Sequence, residues 1–195
     1  GWLLSTVTKA AFMNQQEVVQ NEKRQRVDNR PYGHANYVMI KNMYPESHPY
    51  NWTTIGELED LQNATLKDVR DFYEQWYGPN NATMVIAGDF TKHEVKQLVE
   101  KYFGEIKAGP ENNNPETQPV TLTTTKKVYH EDNFATSPRL TMTFPTIDQR
   151  HVDAAALELL GQLMGDGKKA PLYKVIVEEK KLAPSLYAYS GTQEI

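Results

Sequence analysis

The chain has 195 residues, 39% of them hydrophobic and 24% charged, with 21 Lys and Arg against 25 Asp and Glu for a formal charge of −4. Length and composition describe one large folded domain or two small ones and exclude a disordered chain. There are no Lys/Arg runs to form the cationic patch that nucleic acid or an anionic membrane needs. No apolar run approaches the roughly 18–20 residues that cross a bilayer, and zero cysteines exclude disulfides, thiolate metal sites and a cysteine nucleophile.

Asn14 followed by Glu17 predicts a capped helix of roughly 14 residues running to near Asp28-Asn29-Arg30, where Pro31 ends it. Tyr32 to Tyr44 predicts a second helix closed by Pro45, followed by a loop to Gly56. Thr65-x-x-Asp68 caps a third helix, with Val69, Phe72, Tyr73 and Trp76 at helical spacing, and Thr91-x-x-Glu94 caps a fourth. Between them Gly78-Pro79-Asn80-Asn81 turns into a buried strand, Ala82 to Ala87. Further strands are expected near Lys127 to His130, at Leu140 to Phe144 and at Leu186. Helices are expected from His151 to Met164, broken by Gly165-Asp166-Gly167, and from Pro171 to Lys181. The expected fold class is α+β, an antiparallel sheet flanked by helices.

The Pro/Asn-rich, aperiodic stretch 109–119 reads as a linker between residues 1–108 and 120–195. The ends read as those of a piece of a longer chain. Gly1-Trp2-Leu3-Leu4 lacks an initiator Met and the pattern of a signal peptide, and the terminal strand reaches Ile195 without a neighbour.

The histidines, His34, His48, His93, His130 and His151, form neither H-E-x-x-H nor H-x-x-E-H, and no two stand at the i,i+4 spacing that aims two imidazoles at one zinc ion. Asn51, Asn63 and Asn81 open N-x-T sequons. One helix is unusual. Glu22 lies three and four residues beyond Val19 and Val18, on their stripe, and a carboxylate facing inward must find a cation, a metal or strong donors. Two readings are open: an i,i+4 ion pair with Arg26 near the surface, or a metal ligand whose partner ligands lie on another helix.

At this helix the sequence resembles the pitrilysin/insulinase family of zinc metallopeptidases. Their zinc site joins an H-x-x-E-H helix to a glutamate roughly 75 residues further on. The likeness continues through His48-Pro49-Tyr50, Gly56-x-x-x-x-Leu61, Phe72-Tyr73-x-x-Trp76-Tyr77-x-Pro79-x-Asn81-Ala82-Thr83 and Val85-Ile86-Ala87-Gly88-Asp89-Phe90. Past the linker, Leu159-Leu160-Gly161, Pro171-Leu172-Tyr173 and Glu178-Glu179-Lys180-x-Leu182-Ala183 are similar to the start of that family's next, non-catalytic domain.

The resemblance implies a pitrilysin/insulinase-like fold, cut at both ends, with residues 1–108 from the zinc-glutamate-bearing domain and 120–195 opening the second. It implies Glu22 as a zinc ligand and Gln15 as a supporting residue at a place where the family commonly carries an acid. The full-length protein is then a zinc metalloendopeptidase acting on peptides or unfolded polypeptides, or a non-catalytic subunit shaping a substrate chamber. No catalytic residue lies in these 195 residues, so the chain alone is expected to be inactive and to bind no zinc. Its expected partners are peptide substrate and the remaining domains. Val177 replaces an Arg common in the second domain, as Gln15 replaces the acid. Zero cysteines with many Tyr and Asn residues suit a bacterial envelope protein.

Overall fold

Thr8 opens the first helix, its Oγ1 accepting the Ala11 N–H at 3.2 Å ahead of α1 (Lys9–Lys23). The helix thus begins five residues before Asn14, because a threonine hydroxyl satisfied a free N–H of the first turn further upstream. Past Lys23 the helix widens into a π-helical turn, Arg24–Asp28, closed by the Asn29 N–H on the Arg24 carbonyl at 2.9 Å. Residues 7–113, 116, 118–191 and 193 are described by this computed structural model. The Gly1-Trp2-Leu3-Leu4 stretch and Ile195 lie outside them.

Helix α2 (Ala35–Met43) falls inside the predicted Tyr32–Tyr44 segment. Tyr32 itself has φ of +59° and belongs to the preceding turn. A 3-10 turn, Pro49–Asn51, leads to α3 (Leu58–Asn63), a short helix inside a segment with no apolar period to announce it. Of the three predicted caps, those at Thr65 and Thr91 form as capping boxes, while the one at Asn14 and Glu17 does not. Thr65 opens α4 (Leu66–Trp76) with Asp68 returning its carboxylate to the Thr65 N–H at 2.7 Å, and Thr91 opens α5 (Lys92–Phe103) with Glu94. Hydrogen bonds from the threonine hydroxyl and N–H hold both carboxyl groups below their ordinary pKa. Helix α6 (Ala154–Gly165) and α7 (Pro171–Tyr173), which runs into a second π-helical turn at Lys174–Glu179, complete the order.

The expected α+β class is overturned. Among the described residues there is no strand and no antiparallel sheet; the regular structure is helical. Segments 82–87, 127–130, 140–144 and 186–189 carry the β-rich composition without pairing. β-propensity measures fit against a neighbouring strand, and a segment with no ladder partner has nothing to hold it as one. Their side chains are correspondingly uncovered, with Val85 at 84%, Leu140 at 86% and Tyr187 at 84% exposure.

Contacts group the residues into two units. The first comprises Gly1–Ile40, Trp52–Asn114 and His130–Pro138, and the second Lys41–Asn51, Pro115–Tyr129 and Arg139–Ile195. Within the first, α1 lies against α3: the Gln16 side-chain amide donates to the carbonyls of Leu61, Gln62 and Ala64, satisfying acceptors that the C-terminus of α3 leaves open. Within the second, residues 188–190 cross α6 where it carries glycine at i and i+4. A Cβ on Gly165 would fall 2.5 Å from the Ala188 backbone N, and one on Gly161 3.1 Å from the Ser190 N. Gly161 and Gly165 thus leave room on α6 for residues 188–190 to cross.

Candidate functional site

Glu22 projects from the last turn of α1, about two-fifths exposed, with Oε1 2.9 Å from an Arg26 Nη1 that is itself three-quarters exposed. This is the i,i+4 ion pair, a contact worth roughly 0.3–0.5 kcal/mol at a solvated surface. Val18, on the same stripe, is 47% exposed, so the stripe is not an apolar seam. Gln15 is exposed on the preceding turns.

The buried charge of α1 is its neighbour, Lys23, at 6% exposure. Its Nζ donates to the Gly56 carbonyl at 2.9 Å and stands 3.8 Å from Glu57 Oε2. Gly56 takes φ of +73°, a left-handed conformation that favours glycine, at the turn that presents this carbonyl. Glu57 also acts on Tyr37 of α2: its negative charge first, then burial, then a hydrogen bond hold the phenol above its ordinary pKa. Sequence spacing pointed to Glu22 as the inward charge and missed Lys23. The available signal was Gln16 and Lys23 seven residues apart, two turns along one polar face.

Two histidines approach in the same unit. His34 Nε2 is 3.4 Å from Asp28 Oδ1, and its ring lies 6.2 Å from that of His130. Asp132 closes the adjoining turn, accepting the Tyr32 N–H at 2.8 Å on Oδ2 and the Phe134 and Ala135 N–H groups at 2.8 and 2.7 Å on Oδ1. The backbone donor at Phe134 leads the causes that place its pKa below the ordinary value.

In the second unit, His48 of the His48-Pro49-Tyr50 segment is fully buried. Its Nδ1 accepts the Tyr50 N–H at 3.0 Å, leaving Nε2–H to donate to the Gln118 carbonyl at 3.1 Å. With both ring nitrogens engaged and the Tyr44 and Tyr50 rings packed at 4.6 and 5.3 Å, this histidine is structural. The buried Asn51 side chain beside it donates to the Tyr44 carbonyl at 2.7 Å and accepts from Lys41 Nζ at 2.9 Å. An open cleft of about 400 Å³ runs along this segment, lined by Lys41, Tyr44, His48, residues 118–124 and Lys126.

A Glu22 carboxylate is the right kind of donor for zinc, and its partner is a solvent-facing cation that exchange can displace. One carboxylate is fewer than the three protein ligands that hold a catalytic zinc, and among the described residues no cluster of three or more His, Cys, Asp or Glu side chains is placed to hold a metal. These residues therefore fit zinc as a single donor and not as a complete site. Among the described residues no helix is long and apolar enough to cross a membrane.

A family model described as the peptidase M16 inactive domain matches residues 63–194. The chain belongs to the peptidase M16 family, the pitrilysin/insulinase family of the sequence resemblance. The zinc protease PqqE of Helicobacter pylori is 31% identical over 182 residues, covering 92% of this chain and 40% of the relative. The crystal structure of a protease from H. pylori superposes with a TM-score of 0.69 at 26% identity, over 97% of this chain and 46% of that one. A peptidase M16 inactive domain from Pseudomonas fluorescens, at 17% identity and a TM-score of 0.68, shares the fold. The chain thus spans two-fifths to one-half of the length of these relatives.

Proposed function

We propose that this chain is part of a zinc metalloendopeptidase that hydrolyses peptides or unfolded polypeptides, to which it contributes Glu22 as one zinc ligand. The observation that carries this reading is membership of the M16 family together with a relative named zinc protease that matches 92% of the chain; Glu22 stands partly exposed on its helix, paired with an exposed arginine one turn further along. Related proteins bearing the name zinc protease support the reaction class. Zinc, when bound, supplies a Lewis acid that activates water for attack on a peptide carbonyl. The residues of this chain hold and orient; the H-x-x-E-H helix, with its two histidines and general base, is not among these 195 residues. Gln15 stands near Glu22 in sequence as a neutral amide, able to donate and accept hydrogen bonds without adding negative charge. Residues 109–119 link the end of the first peptidase domain to the start of the second, and an envelope location in a bacterium completes the reading.

A second reading is favoured by the match of residues 63–194 to an inactive domain, together with Gln15 and Val177 at positions where the family commonly carries charge. Here the full-length protein shapes a substrate chamber or serves as a partner subunit without hydrolysing anything. Incubating the full-length protein and the 195-residue chain separately with an unfolded polypeptide and added zinc distinguishes the two. The peptidase reading predicts cleavage by the full-length protein and none by the chain. A folded, zinc-loaded full-length protein that leaves every such polypeptide intact selects the subunit reading.

A further inference from the structure

Helix α1 carries two long-range polar anchors, Gln16 and Lys23. Val18 on its stripe is half-exposed, so apolar packing at that position does little to set which way the helix faces. Gln16 and Lys23, two turns apart on one face, instead reach the chain from Gly56 to Ala64: Gln16 donates to three carbonyls at the end of α3, and Lys23 donates to the Gly56 carbonyl beside Glu57. Lys23 is the more constrained of the two. An ammonium at 6% exposure must keep its partners, since an unpaired buried charge is strongly unfavourable. Rolling α1 would strip Nζ from Gly56 and pull the Gln16 amide from α3. Glu22 precedes Lys23 by one residue, about 100° around the helix, so whatever holds Lys23 also sets the direction in which the Glu22 carboxylate is presented.

We infer that Lys23 is a positioning residue for Glu22: its buried ammonium, seated on the Gly56 carbonyl, fixes the roll of α1 and thereby the presentation of the carboxylate to a metal. The inference rests on Glu22 as a zinc ligand and adds the side chain that orients it. Groups that hydrogen-bond a metal ligand change affinity by about 10–100-fold when removed; Lys23 acts one step further out, through the helix, so a smaller effect is expected.

The test uses the full-length protein. Lys23→Met keeps the aliphatic stem and removes the ammonium, and it is expected to weaken zinc binding severalfold. It is also expected to change the visible absorption of the Co²⁺-substituted protein, while Lys23→Arg restores most of the affinity. Thr91→Ala, which removes the cap of α5 away from α1, is the control for lost stability and leaves zinc affinity unchanged. Should Lys23→Met fail to fold, Gln16→Ala loosens the other end of the same face and is expected to weaken zinc binding measurably but less than Lys23→Met. Wild-type zinc affinity and an unaltered cobalt spectrum in a folded Lys23→Met, or in Gln16→Ala where only that variant folds, would overturn the inference. Retention of zinc by Glu22→Gln would instead remove the ligand assignment on which it rests.

Discussion

Replacing Glu22 by glutamine in the full-length protein is expected to abolish zinc retention while leaving the fold nearly intact. The two halves of this expectation have separate physical origins. Within the chain the substitution removes a single i,i+4 pair with an exposed Arg26, worth a few tenths of a kcal/mol, so between the metal-free forms the melting temperature should move by about a degree or two. Zinc, by contrast, is deprived of an anionic oxygen, and a neutral amide of the same shape supplies neither the charge nor the basicity of a carboxylate ligand. Metal analysis after dialysis, alongside thermal unfolding monitored by circular dichroism, reads both. One retained zinc ion per chain in a folded Glu22→Gln protein would return Glu22 to the role of a surface ion-pair residue.

Gly33→Ala is expected to be among the most destabilising substitutions to a small side chain in the chain. A Cβ at this position would fall 1.8 Å from the Val27 carbonyl oxygen, 2.8 Å from its carbon and 3.1 Å from Arg30 Cγ. The two nearest obstacles are backbone, so no rotamer change relieves them. Val27 sits in the π-helical turn that ends α1, and the Gly33 N–H donates to the Arg30 carbonyl at 3.1 Å, so the chain folds back tightly on itself before α2. Separating these atoms requires moving the turn and with it the Asp132 carboxylate bound to the Tyr32 N–H. The expected loss is about 3 kcal/mol or more, a fall in melting temperature of roughly 6–12 °C for a chain of this size. A variant melting within about two degrees of wild type would show that the turn relaxes freely.

What could be read from the sequence followed the range of the interactions involved. The caps at Thr65 and Thr91 were legible because hydroxyl, carboxylate and N–H all lie within four residues. The same chemistry misled at α1, where Asn14 and Glu17 offered the pattern and Thr8 makes the bond. Segments 82–87 and 140–144 have strand composition, but a strand exists only with a partner, and composition cannot supply one. At the site, spacing placed Glu22 beside Val18 and Val19 correctly as a matter of helix geometry. It could not say which face was covered, because that depends on Gly56 and Glu57, more than thirty residues away. His48 shows the same limit: its family segment was visible, and its burial depends on the Gln118 carbonyl. Family membership was legible because it rests on several short segments in order and needs no tertiary contact to be recognised.

Zinc analysis of the purified 195-residue chain after exhaustive dialysis tests most directly the central claim, that this chain donates one zinc ligand and lacks the others. No stoichiometric zinc is expected, since Glu22 alone cannot hold the ion. One tightly held zinc ion per chain would contradict the claim.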